Sequence, residues 1–186
     1  MADHSCKILL IPGSLRQGSS NVAALRTAAV IVPHGTSAIF YEGLGELPHF
    51  NPDVEQQALP ESVRALRAQL AAADAVLFST PEYAGALPGS FKNLLDWTVG
   101  EGLYMKPVGW LNPSPHGADH TYDMLRRVLG YVNADLVEAA CVRAPVRRDS
   151  VGKDGLVSDA SAREQIAQAV RALTEHVLQL RADASA

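Results

Sequence analysis

The residues from 7 to 21 place the strongest constraint on how this chain can fold. They begin with the apolar run Ile8–Ile11 and break at Pro12 and Gly13 into a loop of small hydroxyl residues. From Val22 onward the sequence is rich in alanine and has helical spacing. An apolar run, a tight break and a helix start indicate a buried strand that a short loop joins to a helix. This unit is typical of folds in which strands and helices alternate.

The same alternation continues along the rest of the chain. Further apolar runs predict four more strands at Ala38–Tyr41, Ala75–Ser79, Pro107–Leu111 and Leu136–Val142. Segments with helical spacing separate these runs and also follow the last one, which makes five strands and five helices. We therefore predict an α/β fold with a doubly wound, five-stranded parallel sheet in the flavodoxin-like order 2-1-3-4-5 and helices on both faces. Residues 1–186 fit a single domain.

The loops after strands one, three and four are predicted to meet at the edge where such sheets bind ligands. The first of these loops offers the N–H groups of a helix N-terminus, several hydroxyl donors and the guanidinium of Arg16. This combination suits a phosphate group. Serine and asparagine are also favoured N-caps, so an ordinary capped helix is an equal alternative on this stretch alone.

The glycine pattern of the first loop excludes two common nucleotide motifs. No Gly-Lys-Ser/Thr follows, so the loop is not a Walker loop, and Gly13 and Gly18 are spaced wrongly for the dinucleotide fingerprint. A loop of hydroxyl residues suits a terminal phosphate monoester better than a bridging pyrophosphate. The residues therefore favour a mononucleotide such as FMN.

Composition and charge limit the binding partners and the cellular location that can be expected. The net charge of −4 gives no electrostatic reason to expect nucleic acid or an anionic membrane as a partner. The two cysteines, Cys6 and Cys141, flank different predicted strands, which favours a reduced, cytoplasmic location over a disulfide scaffold. Met1–Ser5 is polar and lacks the apolar core of a signal peptide. No apolar run approaches the ~18 residues that span a bilayer.

Two segments together resemble the pattern of a known family. The first segment combines Gly13, Ser14, Arg16, Ser19 and Asn21. The second segment combines Pro81, Glu82, Tyr83, Pro88, Gly89, Lys92, Asn93, Asp96 and Trp97. In residue type and spacing they resemble the NAD(P)H-dependent FMN reductase family, which includes quinone, azo-dye and chromate reductases. The likeness in element order covers nearly the whole chain.

The resemblance implies three groups of cofactor-binding residues. The family's phosphate loop falls on Ser14, Arg16, Ser19, Ser20 and Asn21. Its flavin-ring loop falls on Pro81, Glu82, Tyr83, Ala84 and Gly85. Its loop after strand four falls on Ser114, His116 and Gly117. Many members have asparagine where this chain has alanine after the tyrosine, so only backbone contacts are expected at that position.

The resemblance also implies roles around the flavin ring. We expect Tyr83 to lie against the ring or its edge. Taken by itself, apart from the resemblance, Glu82 would more often be a solvated carboxylate. We expect structural roles for four residues of the following helix, Lys92, Asn93, Asp96 and Trp97. The resemblance further places the helix face of Phe91 and Trp97 at or near a subunit contact.

The activity that the resemblance implies is that of an FMN-containing oxidoreductase. NADH or NADPH would pass hydride to flavin N5, and a small acceptor such as a quinone, azo compound, metal ion or free flavin would then replace the nicotinamide. No catalytic side chain is expected, because the flavin carries the chemistry. A homodimer or homotetramer is implied. The alternatives are a non-enzymatic flavodoxin-like electron carrier and a flavin-free binding module.

Other candidate sites are weaker. His116 and His120 have a metal-ligand spacing, but no third ligand accompanies them and no metal is expected. Both cysteines are expected to be buried apolar residues and not nucleophiles. Arg147 and Arg148 could meet the 2′-phosphate of NADPH, although a solvated loop is favoured. The long connection 42–59 is predicted to be functional, loosely ordered, or a covering loop that packs on the core.

Overall fold

Five parallel strands form one sheet in the order β2-β1-β3-β4-β5. A computed structural model describes residues 6–186, so the prediction for Met1–Ser5 lies outside the described residues. The strands are β1 (Cys6–Pro12), β2 (Thr36–Phe40), β3 (Ala75–Ser79), β4 (Pro107–Asn112) and β5 (Asp135–Arg143). The predicted fold class and strand order are confirmed.

Helices connect the strands and cover both faces of the sheet. They are α1 (Ser20–Val30), α2 (Pro52–Glu55), α3 (Glu61–Ala72), α4 (Gly89–Asp96), α5 (Asp119–Tyr131) and α6 (Ala160–Asp183). The five long helices were predicted, whereas the short α2 lies in the connection that shows little periodicity in the sequence. None of the helices in the described part of the chain has both the length and the apolar content needed to cross a bilayer.

β3 lies at the centre of the sheet, and all five of its residues are buried. Successive side chains of a strand point to opposite faces, so β3 contributes to two apolar cores. Val76 and Phe78 join the core beneath α3, α4 and α5, while Ala75 and Leu77 join the core beneath α1 and α6. This double burial explains why β3 is a continuous apolar run in the sequence.

The strand order reverses between β1 and β3, and the ends of the central strands are level there. Pro12 at the end of β1 pairs with Ser79 at the end of β3, and Phe78 pairs with Trp110 of β4. The chain leaves β1 toward β2 on one side and later enters β3 on the other side. The loops after β1, β3 and β4 therefore open at one edge of the sheet, as the sequence predicted.

Phe91 and Trp97 are core residues, so these two side chains themselves offer no surface to a subunit contact, and a contact near their helix stays a prediction. Both are fully buried within the chain. Phe91 packs edge-on against Phe78 with ring centroids 5.7 Å apart, and Trp97 packs edge-on against Phe50 at 5.0 Å. Their apolar surface is already used inside the chain.

The connection 42–59 is held against α4 by polar side chains. Asn93 accepts a hydrogen bond from the Phe50 N–H at 2.7 Å and donates to the Pro48 carbonyl at 2.9 Å. The Trp97 indole N–H donates to the same carbonyl at 2.8 Å. Leu47 also packs against the core. The expected structural roles of Asn93 and Trp97 are confirmed, and residues 47–50 form a covering stretch that packs on the core.

Replacing Asn93 with alanine is expected to lower the free energy of unfolding by about 2 kcal/mol, because two hydrogen bonds of ~1 kcal/mol each are lost. The matched control is Lys92→Ala, since Lys92 forms only a partly exposed ion pair with Asp96, a type worth ~0.3–0.5 kcal/mol. Urea unfolding of both variants measures the difference. Equal losses in the two variants would contradict the proposed anchoring.

Candidate cofactor site

The loop after β1 lies directly against the end of β3 because Gly13 has no side chain. A Cβ atom at this position would lie 2.2 Å from Thr80 Oγ1, which is far inside van der Waals contact. The Gly13 N–H also donates to the Ser79 carbonyl at 2.8 Å. Two of the three predicted site loops are therefore in contact at their first residues.

Ser19 and Asn21 shape the start of α1. Ser19 is the N-cap, and its Oγ accepts a hydrogen bond from the Asn21 N–H at 3.2 Å. The Ser79 hydroxyl lies 3.0 Å from Asn21 Oδ1 and 2.9 Å from the Leu111 carbonyl oxygen. Ser19, Asn21 and Ser79 are all buried. The capped-helix interpretation is thus correct for Ser19, and the asparagine fixes the helix start to the strand ends.

Arg16 and Ser20 face outward from the same loop. The buried Ser14 accepts a hydrogen bond from the Arg16 N–H at 3.3 Å, which orders the turn. The exposed Arg16 side chain contacts the Gly18 carbonyl at 3.5 Å. Arg16 and Ser20 line a cavity of about 450 Å³ whose lining residues include no carboxylate. A cation and a hydroxyl at a helix N-terminus are an arrangement that attracts an anion.

The loop after β3 ends in a tight two-residue turn. The backbones of Tyr83 and Ala86 exchange hydrogen bonds of 3.0 and 3.1 Å. Between them Ala84 has φ = 52° and Gly85 has φ = 73°, the two positive φ values of a type I′ hairpin turn. The Tyr83 side chain is 50% exposed beside this turn. The turn therefore presents backbone and a half-exposed tyrosine side chain to solvent.

Glu82 links the loop after β3 to the start of α5. Its carboxylate accepts a hydrogen bond from the Thr121 N–H at 3.1 Å. The N-cap residue of α5, Ala118, provides no side-chain cap, so Glu82 supplies the acceptor from a neighbouring loop. A carboxylate at a helix N-terminus is also favoured by the helix dipole. The expectation of a solvated carboxylate is therefore wrong, because the sequence does not reveal which helix start lies opposite this loop.

Tyr122, a residue of α5, joins the end of β3 to the end of β4. Its hydroxyl lies 2.6 Å from the Leu111 carbonyl oxygen and 3.1 Å from the Thr80 carbonyl oxygen, and it accepts from the Thr80 N–H. Burial raises the pKa of the Tyr122 phenol, which remains a neutral donor. Tyr122 is not among the site residues predicted from the sequence. A tyrosine on the inner face of a helix was the available signal, since its hydroxyl needs a buried partner.

The loop after β4 and the loop after β1 line a common cavity. The Ser114 N–H donates to the side chain of Asn112 at 3.1 Å, which turns the chain at the end of β4. Gly117, with φ = 107°, lies buried immediately before α5. The exposed His116 lines a cavity of about 710 Å³ together with Arg16 and Ser20.

The cysteines lie away from these loops. Cys6 and Cys141 are free thiols, the first buried and the second half-buried. Burial raises the pKa of Cys6 to about 11 and that of Cys141 to about 12, so both stay protonated near neutral pH. The prediction of a buried residue is confirmed for Cys6, whereas Cys141 is only half-buried. Within residues 6–186 no three His, Cys, Asp or Glu side chains are grouped so that they could hold a metal ion.

Comparison with known proteins identifies the family. Residues 6–146 match the family model described as NADPH-dependent FMN reductase. The chain belongs to this family. The matched residues of this FMN reductase family member include all three loops at the strand ends. As a member it is a flavin-dependent oxidoreductase that uses FMN with NAD(P)H.

Relatives and solved structures agree with this assignment. A Pseudomonas aeruginosa protein named NAD(P)H-dependent FMN reductase is 35% identical over 180 residues, which cover 94% of this chain and 97% of that protein. A quinone reductase of Pseudomonas putida is 35% identical over 124 residues, 61% of this chain and 65% of that protein. The structure of FerB, a flavoenzyme NAD(P)H:(acceptor) oxidoreductase from Paracoccus denitrificans, has a TM-score of 0.77 and 26% identity, covering 94% of this chain and 98% of that one.

The residues at the strand ends fit a flavin mononucleotide. Of the two cavities that Arg16 and Ser20 line, the one of about 450 Å³ contains no acidic residue that would repel a phosphate dianion, and the larger one contains Asp149. The turn at Ala84 and Gly85 is narrow and carries no bulky side chain, so a flat ring can approach its backbone. Charge and shape at these two loops thus match the two ends of the cofactor.

Replacing Glu82 with alanine is expected to lower the free energy of unfolding by about 1 kcal/mol, since the Thr121 N–H loses its acceptor. Glu82→Gln keeps an acceptor oxygen and should lose about half as much, mainly the charge–dipole contribution. Chemical denaturation of both variants makes the comparison. An equally large loss in the glutamine variant would exclude the capping role.

Replacing Ala84 with glycine is expected to raise the free energy of unfolding by roughly 0.5–1 kcal/mol, because alanine is disfavoured at positive φ while glycine is not. Gly85→Ala is the matched opposite change and should lower it by ~1 kcal/mol. Thermal unfolding of the two variants tests both signs. A destabilised Ala84→Gly protein would show that the alanine methyl group makes a compensating contact.

Proposed function

We propose that this flavoenzyme reduces quinones with NADH or NADPH, and that FMN is held across the ends of β1, β3 and β4. The observation that carries the proposal is the contact of the three loops: Gly13 against Thr80, and Glu82 against the start of α5. These contacts join a cationic helix start to a flat turn at a single edge of the sheet. That is the arrangement needed to bind a phosphate and a planar ring of one molecule.

The phosphate loop is proposed to combine binding residues with residues that order the loop. The set is Ser14, Arg16, Ser19, Ser20 and Asn21. Within it, the outward-facing Arg16 and Ser20 would donate to the FMN phosphate, while Ser19 and Asn21 hold the helix start through the bonds described above. A hydrogen bond between charged groups contributes ~1.5–3 kcal/mol. Arg16 is therefore proposed to be the residue of this set that contributes most to FMN affinity.

The other two loops are proposed to bind the flavin ring. The residues after β3 are Pro81, Glu82, Tyr83, Ala84 and Gly85, and those after β4 are Ser114, His116 and Gly117. Backbone N–H groups of the turn would donate to the polar edge of the ring, and Glu82 would act by fixing the turn to α5. When bound, FMN supplies the hydride and electron chemistry. The chain supplies position and backbone dipoles, and no side chain is proposed to be catalytic.

A quinone is proposed as the acceptor because relatives of this chain include proteins named quinone reductases. Quinones are flat and mostly apolar, so the same open ring face can take the nicotinamide and then the quinone. The half-exposed Tyr83 lies where it can border that face. This supports exchange of the two substrates on one surface.

The remaining proposals concern the protein as a whole. A single sheet contains all the described strands, which supports one catalytic domain over residues 1–186. Two free cysteines support a reducing, cytoplasmic location. Exposed apolar side chains such as Tyr104, Met105 and Tyr131 provide surface that a homodimer or homotetramer could cover.

The test combines flavin binding with turnover. FMN is titrated into the purified protein, NADH or NADPH is added without oxygen, and a quinone follows. We expect a perturbed flavin spectrum, bleaching by the nicotinamide and reoxidation by the quinone. Arg16→Ala should weaken FMN binding about tenfold or more and change turnover at saturating FMN little. The matched control is Arg127→Ala, an exposed arginine of α5.

Each alternative function gives a different result in this experiment. An electron carrier would bind FMN but would not oxidise NADH or NADPH without a partner reductase. A flavin-free binding module would leave the FMN spectrum unchanged. An Arg16→Ala variant with the FMN affinity of the original protein would remove Arg16 from the phosphate site.

A further inference from the structure

The segment after β5 lies over the phosphate loop and is fixed at both ends. The Val146 N–H donates to the Pro113 carbonyl at 2.9 Å, which ties the segment to the loop after β4. The Val157 N–H donates to the Thr27 hydroxyl at 2.9 Å, which ties it to α1. Val146 and Val157 are both buried. The backbone of this segment is therefore part of the same edge as the FMN loops.

Arg148 occupies a defined position within this segment. It begins a short 3-10 turn, Arg148–Ser150, whose last carbonyl accepts the Ser158 N–H at 2.8 Å and the Ser158 hydroxyl at 2.9 Å. The neighbouring Arg147 forms an ion pair with Asp149 at 3.3 Å. Within residues 6–186 the guanidinium of Arg148 forms neither a hydrogen bond nor an ion pair. Its backbone is fixed, while its charge is available to a ligand.

The cavity beside Arg148 is the one that Arg16 and Ser20 line. The two arginines share the cavity of about 450 Å³, and its lining residues include no carboxylate. They also share the adjoining cavity of about 710 Å³, where the one lining carboxylate, Asp149, is ion-paired with Arg147. Two like charges that face one small space repel each other unless an anion neutralises them. Ser20 is the first residue of α1, so the positive end of an 11-residue helix faces the same space.

We propose that Arg148 is a phosphate-binding residue that, together with Arg16, clamps a phosphate monoester at the start of α1. A guanidinium donates two parallel hydrogen bonds to phosphate oxygens, and two guanidiniums can hold a dianion from opposite sides. Two ligands of this enzyme can carry such a group: FMN at its 5′-phosphate and NADPH at its 2′-phosphate. The inference rests on the proposed function, because it assumes that FMN binds at these loops.

Titrations with two flavins test the clamp without relying on turnover. Apoprotein is titrated with FMN and with riboflavin, which lacks the phosphate, and flavin fluorescence is followed. If the clamp holds FMN, Arg148→Gln raises the Kd for FMN about tenfold and leaves the Kd for riboflavin unchanged. Arg148→Lys should recover part of the loss, because it keeps the charge without the fork. Arg127→Gln, which removes the same charge from an exposed site on α5, should change neither Kd.

A second experiment, steady-state kinetics with NADPH and NADH, tests whether the clamped phosphate is that of NADPH. If the clamp holds NADPH, Arg148→Gln leaves FMN affinity unchanged and raises the KM for NADPH about tenfold, while the KM for NADH stays the same. In both cases added salt should reduce the difference in Kd or KM between the original protein and the variant. A raised Kd for FMN or a raised KM for NADPH each supports the clamp and identifies its ligand.

Three results would overturn the inference. Unchanged constants for FMN, NADPH and NADH would make Arg148 a solvated surface residue. Equal weakening of FMN and riboflavin, or a lower melting temperature, would indicate a structural role only. If the original protein fails to bind FMN, the proposed function itself is overturned. If the original protein binds FMN and Arg148→Gln changes none of the constants, only the clamp is overturned.

Discussion

The site depends on the close approach of Gly13 to Thr80. At this point the chain leaves β1 and runs over the end of β3 with no side chain between them, and the Gly13 N–H donates to the Ser79 carbonyl. A larger residue would force the two loops apart, since a Cβ would overlap the threonine. This contact fixes the spacing between the start of α1 and the loop after β3. The relative position of these two loops is therefore set by the backbone.

Around this contact, polar side chains divide into two groups. Ser19, Asn21, Ser79 and Tyr122 are buried and bind to one another or to strand-end carbonyls, so their donors and acceptors are used in holding the loops. Arginine charges, by contrast, face the cavities at the surface. A buried network gives rigidity because unpaired polar groups there are costly. Exposed charges remain available to a ligand, and a site of this kind needs both.

The sequence predicted the fold because its main signals are local. β3 is a continuous apolar run, and α1 follows a loop of hydroxyl residues, so element types and order could be derived with the family resemblance as support. The roles of Glu82 and Tyr122 could not be predicted, because each acts on a strand or helix that is distant in sequence. Arg148 is exposed, as expected of a solvated loop, but its place beside Arg16 is also a product of the tertiary fold. Contacts between loops depend on the tertiary fold, and spacing along one chain does not report them.

The carboxylate that caps α5 from another loop has an evolutionary consequence. A helix usually needs a capping residue in the segment that precedes it, and this requirement limits which sequences that segment can adopt. Here Glu82 meets the requirement from outside. The residues between β4 and α5 are thereby released from one constraint on their identity. They can change in sequence without loss of the cap on the helix behind them.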